Sequence, residues 1–218
     1  MNDLYALLLS YALVFSVIGV ATLLQRTKVL GDEGARKFIH IGVSNWWILA
    51  MLTFDDVLLA LIPPFTFILL NYYSYRTNLI KSMERGGKGN LGTVYFPVAL
   101  FVLVAITFGF GEPMIGAIGI LILGYGDGFA AIFGKAYGKR EIANGKTVTG
   151  TIAMFISSLV VALILFVIAW PSHAHLALAV AGVATLIELH TPKGFDNLSV
   201  PLGTSLFTYL LLLLFSLV

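Results

Sequence analysis

"TVTGTIAMFISSLVVALILFVIAWPSHAHLALAVAGVATLI", residues 147–187, runs for 41 positions without an aspartate, glutamate, lysine or arginine. About 17–25 apolar residues cross a bilayer as a helix. This stretch is long enough for two crossings, and its break falls at Trp170–His175, where Pro171 and two histidines fit a short turn. Stretches of similar character lie at 4–25, 38–54, 57–75, 89–111, 113–134 and 197–218. Together they predict an all-α integral membrane protein: one polytopic bundle of about eight transmembrane helices, forming a single domain over residues 1–218. Pro63 and Pro64 are expected to kink the third span.

Composition agrees. The chain is 59% hydrophobic and 11% charged, against about 25% charged residues in soluble domains. It has no cysteine, which excludes disulfides, thiolate nucleophiles and cysteine-ligated metals. The N-terminus carries Asn2 and Asp3 and no small-residue cleavage site, so the first stretch is expected to be a retained span. No internal repeat or low-complexity segment interrupts the pattern.

The thirteen lysines and arginines set the orientation. With eight spans, all of them fall in or beside the loops after spans one, three, five and seven. The opposite side receives Asp3, Asp55, Asp56 and Glu112. Cytoplasmic loops carry the lysine and arginine excess, so those four loops are expected in the cytoplasm and both termini on the other side.

Polar residues gather on the basic side. In "GARKFIHIGVSNWW" (34–47), Arg36, His40 and Ser44 recur every four residues on one helix face, flanked by Lys37. Either a lined cavity or basic residues snorkelling to the headgroups fits this pattern. In "ERGGKGNLGTVYFP" (84–97), glycine-rich backbone with Lys88, Asn90 and Thr93 suits a phosphate cradle; a flexible connector is the alternative.

"GYGDGFAAIFGKAYGKREIANGKTVTG" (124–150) is the most informative segment. Asp127 shares a helix face with Ala130, Ala131 and Gly134, about 12 Å from Lys135 at 1.5 Å per residue. An ionised aspartate facing lipid costs about 2.5–3.5 kcal/mol or more. Asp127 is therefore expected to face the interior, beside a cation, in a functional site or a structural ion pair. "GKT" (145–147) is not a P-loop, because Arg140 stands where a glycine is required. "GYGDGF" likewise fails the dinucleotide fingerprint at Phe129. The segment still supplies Lys135, Lys139, Lys146, Thr147 and Gly150 near the start of a helix, where free N–H groups favour anions. In "ELHTPKGFDNLSVPLG" (188–203), Glu188 and Asp196 offer carboxylates for Mg²⁺, which takes a few carboxylates plus phosphate oxygens. Asp196 and Asn197 as a helix cap is the other reading.

At these residues the chain resembles the CTP-dependent lipid kinases, the family of dolichol kinase, phytol kinase and the CTP-dependent diacylglycerol kinase. "RKFIH" (36–40), "GTVYFP" (92–97), "GDGFAAIFGKAYGK" (126–139), "GKTVTGTIAMF" (145–155) and "GFDNLSVP" (194–201) occur in family order over most of the chain after residue 34. The resemblance implies phosphoryl transfer from CTP to the hydroxyl of a membrane lipid alcohol at the cytoplasmic face. An isoprenoid alcohol is favoured and diacylglycerol is possible. It implies Arg36, Lys37 and Asp127 as catalytic residues. Gly134 and the Lys146–Thr147–Gly150 element would bind nucleotide, and Asp127, Glu188 and Asp196 would hold Mg²⁺. His40 and Asn197 are further candidates, His40 as a proton shuttle or a packing residue.

The chain also resembles phosphatidate cytidylyltransferases. Those enzymes usually carry Ser-Pro before the Lys-Thr pair, where Asn144 and Gly145 stand here, and further paired acids near the C-terminus. These departures favour the kinase. A small transporter is a third reading, disfavoured by the missing inverted repeat and the one-sided charges.

Overall fold

The computed structural model describes residues 3–77 and 91–218. Lys88, Asn90 and the start of the span expected at 89–111 lie outside the described residues.

Within the described residues the fold is helical, and an isolated Glu141–Thr147 bridge is the extended pairing present. The helices are α1 (Asp3–Arg26), α2 (Asp32–Ser44), α3 (Trp46–Thr53), α4 (Val57–Ala60), α5 (Ile62–Thr77), α6 (Gly92–Leu103), α7 (Pro113–Leu121), α8 (Gly128–Tyr137), α9 (Val148–Ala169), α10 (Ala177–His190) and α11 (Asp196–Leu214). Among the described residues, six helical segments are long and apolar enough to cross a membrane, and Gly92–Phe108 is a shorter apolar one. Leu8, Phe15, Ile152, Ile156, Val167 and Leu214 are exposed on their outer faces. Exposed apolar surface on this scale suits contact with lipid.

The long apolar stretch bends where its sequence predicts, through a 3₁₀ turn at Pro171–Leu176 between α9 and α10. The third span also breaks, at Leu61 between α4 and α5. Pro63 and Pro64 then occupy the first turn of α5, where a missing N–H leaves no hydrogen bond unmade.

The α7–α8 segment is the hub, and its most apolar 18 residues are 78% buried. α2, α3, α9 and α11 all pack on it. The Trp47 indole donates to Pro113 O at 3.0 Å, and Ser205 donates to Ile115 O at 3.1 Å. Small residues let these helices approach closely. A Cβ on Gly126 would lie 2.7 Å from the Met154 sulfur, and one on Gly119 would run into Ser205 and the Pro201 carbonyl. The second obstruction is backbone and cannot swing aside. Gly119→Leu is therefore expected to destabilise the protein by about 1–3 kcal/mol or more through overpacking, read as a lower unfolding midpoint in detergent. An unchanged midpoint would remove this account of the α7–α11 contact.

One full π turn, Ile122–Asp127, joins α7 to α8. Such wide turns recur at functional sites, and this one ends on Asp127. Tyr125 donates from it to Asn45 Oδ1 at 3.0 Å, tying it to the α2–α3 junction.

Candidate active site

Asp127 is 7% exposed and Lys37 2% exposed. The Lys37 ammonium donates directly to Asp127 Oδ2. The cation expected beside the intramembrane acid is therefore Lys37, reached across 90 residues of sequence. Its neighbour Arg36 pairs with Glu33, one helical turn back. His40 lies one turn beyond Lys37, with Nε2 at 3.5 Å from the same Asp127 oxygen. Lys37 and His40, three residues apart, thus converge on Asp127 from α2.

A polar cleft of about 480 Å³ opens on one side of this cluster. Asp127, at the end of the π turn, and Ala130, Ala131 and Gly134 of α8 line it together, as their spacing predicts. Arg36, Lys135, Lys146 and Lys193 supply its cations, and Glu33, Glu188 and Asp196 its other acids. Thr147, Gly150 and Thr151 complete the α9 side.

Lys146 reaches the cleft through local chain geometry. Asn144 and Gly145 have φ of 55° and 68°, and Lys146 N–H donates to Ala143 O at 3.0 Å. Two successive left-handed residues with that closing bond make the tight hairpin turn for which Asn-Gly is the strongest short signal. Asn144 Nδ2 fastens the turn to Leu189 O at 3.1 Å. Lys146 then pairs with Glu188 Oε1 at 2.6 Å and donates to the Glu188 carbonyl. Glu188 Oε2 is buried and has no hydrogen-bond partner among the described residues.

The expectation of free N–H groups at the start of α9 is corrected at Val148, Gly150 and Thr151. Thr147 Oγ1 accepts from Gly150 N–H at 3.1 Å, Thr147 O from Thr151 N–H at 2.9 Å, and Arg140 O from Val148 N–H at 3.0 Å. The capping threonine and the hairpin satisfy these donors themselves. The side-chain cations on this side of the cleft are Lys135, Lys146 and Lys193.

The other expected site residues divide. Asp196 Oδ1 accepts the Gly194 and Asn197 N–H groups at 2.9 and 3.0 Å, so its carboxylate both shapes the turn before α11 and lines the cleft. Asn197 Nδ2 donates to Gly92 O at 3.0 Å, joining α11 to α6. Lys139 is exposed and is not among the residues lining the cleft. Thr93, His40 and Asn197 line a second, smaller cavity. Glu33, Thr151 and Lys193 belong to the polar cleft without having been singled out by sequence. Lys193 had a usable signal, as the one base between Glu188 and Asp196.

The second cavity, about 100 Å³, is walled mainly by apolar side chains of α1, α2, α5 and α6: Val14, Ile18, Val43, Phe67, Phe96 and Leu100 among them. Arg36 and Asp127 line both cavities. A polar compartment and an apolar one thus meet at one arginine and one buried carboxylate. Among the described residues, no group of three or more histidine, aspartate or glutamate side chains clusters as a metal site. The acids are instead distributed around the polar cleft.

No protein-family model and no solved structure matches the chain. Curated sequences do. The chain is 29% identical over 206 residues to the phytol kinase of Synechocystis sp., covering 89% of this chain and 86% of the relative. It is 30% identical over 237 residues to the probable chloroplastic phytol kinase of Triticum aestivum, covering 97% and 78%. It is also 30% identical over 226 residues to the chloroplastic phytol kinase 1 of Arabidopsis thaliana, covering 92% and 72%.

Proposed function

Since the chain belongs to the phytol kinase family, we propose that it transfers the γ-phosphate of CTP to the hydroxyl of an isoprenoid alcohol of the phytol class. The meeting of the two cavities at Arg36 and Asp127 carries this reading. The nucleotide occupies the polar cleft, where Arg36, Lys135, Lys146 and Lys193 neutralise phosphate charge. The hydroxyl end of the lipid occupies the apolar cavity. At about 100 Å³ that cavity admits the head of a branched chain and leaves the tail to the bilayer.

Phosphoryl transfer runs through a loose transition state, so positioning and electrostatics supply most of the catalysis. The alcohol oxygen forms the new bond to the γ-phosphorus as the bond from that phosphorus to the bridging oxygen breaks and CDP leaves. The hydroxyl proton passes to Asp127 Oδ2. Lys37, buried against Asp127, donates to the same oxygen and holds the carboxylate in position. Mg²⁺ fits the chemistry of the donor set: Glu188, Asp196 and Asp127 all line the cleft, and Glu188 Oε2 has no hydrogen-bond partner among the described residues. When bound there with substrate phosphate, Mg²⁺ neutralises charge on the phosphate oxygens.

The cleft faces the cytoplasm in this reading, with both termini on the other side. The one-sided thirteen bases support that orientation. So does the gathering of acids at the opposite end, where Asp3 Oδ1 accepts the Asp55 N–H at 3.0 Å.

The test is label transfer. Purified protein with Mg²⁺ and γ-labelled CTP is expected to label phytol. Ile18→Trp, which fills the apolar cavity from α1, should raise KM for phytol about tenfold or more, the equivalent of about 1.4 kcal/mol, with KM for CTP unchanged. Absence of label in any lipid alcohol would overturn the reading, and a rise in the CTP KM alone would overturn the assignment of the two cavities.

A further inference from the structure

Two side chains lining the apolar cavity carry a buried polar atom with no hydrogen-bond partner among the described residues, His40 at Nε2 and Asn197 at Oδ1, and of the two residues His40 stands beside Asp127. The donors around His40 are engaged. Lys37 donates to Asp127, Asn71 Nδ2 to Thr93 O at 2.8 Å, and Asn197 Nδ2 to Gly92 O at 3.0 Å. An unsatisfied buried polar atom costs roughly 1–3 kcal/mol, so such an atom calls for an explanation. The ring is held in place, packed against Phe96 with centroids 5.1 Å apart and planes at 57°. Its Nε2 stands 3.5 Å from Asp127 Oδ2, at the boundary where the two cavities meet.

We infer that His40 Nε2 and Asp127 Oδ2 form a two-point seat for the substrate hydroxyl, making His40 a catalytic residue that touches the alcohol. The inference rests on the lipid kinase reading above. Its chemistry follows from complementarity. An ionised carboxylate only accepts hydrogen bonds, whereas a hydroxyl both donates and accepts. The hydroxyl therefore donates to Asp127 and accepts from the Nε2–H tautomer of His40. With one lone pair held by His40, the other is aimed at the γ-phosphorus from the apolar side. During transfer the hydroxyl proton moves to Asp127, and the His40 proton stays on Nε2. Such a seat selects for a hydroxyl on an apolar chain, because a hydrocarbon leaves both groups unpaired.

His40→Phe keeps a ring against Phe96 and removes Nε2. Losing this hydrogen bond is expected to lower kcat/KM for phytol about 10- to 100-fold, with KM for CTP unchanged. His40→Gln, which returns an N–H near the same place, should recover part of the loss. A binding comparison separates this role from packing. The wild type should bind phytol more tightly than phytene, the same chain without the hydroxyl. His40→Phe should erase that difference and leave phytene affinity unchanged. Normal phytol kinetics in His40→Phe, or equal weakening of phytol and phytene, would overturn the inference. If the wild type labels no alcohol, the kinase reading fails by itself, and the phytol-against-phytene comparison still decides whether His40 seats a hydroxyl.

Discussion

Asp127→Asn is expected to reduce phosphoryl transfer by about 10²–10⁴-fold, the range for loss of a positioned acid–base group, and to destabilise the fold as well. The second effect follows from the structure. Lys37 is buried to 2% exposure, and Asp127 is its carboxylate partner. Removing the carboxylate leaves a buried ammonium without its counter-charge, a change that typically costs about 3–5 kcal/mol. An inactive Asp127→Asn protein by itself would therefore not separate a chemical role from a structural one.

The double variant Lys37→Met/Asp127→Asn makes that separation. Replacing both members of a buried ion pair by neutral groups of similar size is often neutral in stability. The unfolding midpoint is expected to return most of the way to wild type. Activity is expected to stay lost, because neither the proton acceptor nor the charge beside it is restored. Recovery of both stability and label transfer in the double variant would mean that the pair serves folding alone. The energetics make the interaction non-additive, as expected for residues in direct contact.

Much of this arrangement was legible before any coordinates. An acid within an apolar span demands a cation and an interior position, and the shared face of Asp127, Ala130, Ala131 and Gly134 follows from helical spacing alone. The identity of the cation was not legible. Arg36 and Lys37 are adjacent and point about 100° apart on a helix of 3.6 residues per turn. Only the packing of α2 against the π turn selects Lys37 and His40 for Asp127. The glycines near Asp127 were also ambiguous in sequence. Gly126 meets Met154 and Gly128 meets Ile41, so they admit neighbouring helices, while the alanines line the cleft. The Asn144–Gly145 turn is readable from its dipeptide, and it is this turn that brings Lys146 to the cleft. The apolar cavity had no local signature, because four separate helices build its walls.

Lys146→Met is expected to raise KM for CTP by about 10²–10³-fold, the loss that follows truncation of a desolvated charge contact worth about 2–5 kcal/mol. The hairpin turn at Asn144–Gly145 fixes where Lys146 emerges, and its ammonium sits 2.6 Å from Glu188 Oε1 at the edge of the cleft. Glu188 is 4% exposed, so the single variant also strands a buried carboxylate and should lower the unfolding midpoint. Lys146→Met/Glu188→Gln removes both charges and is expected to regain stability while KM for CTP stays high and KM for phytol stays normal. Glu188→Gln alone gives a distinct readout. If the free Glu188 oxygen faces a cation shared with the nucleotide phosphates, the Mg²⁺ concentration for half-maximal activity rises, and added Mg²⁺ restores part of the rate. A Glu188→Gln protein with unchanged Mg²⁺ dependence would confine Glu188 to holding Lys146 in place. A Lys146→Met protein with normal CTP kinetics would remove the polar cleft from the nucleotide's path altogether, because Lys146 is the base that the hairpin and α10 together hold at its edge.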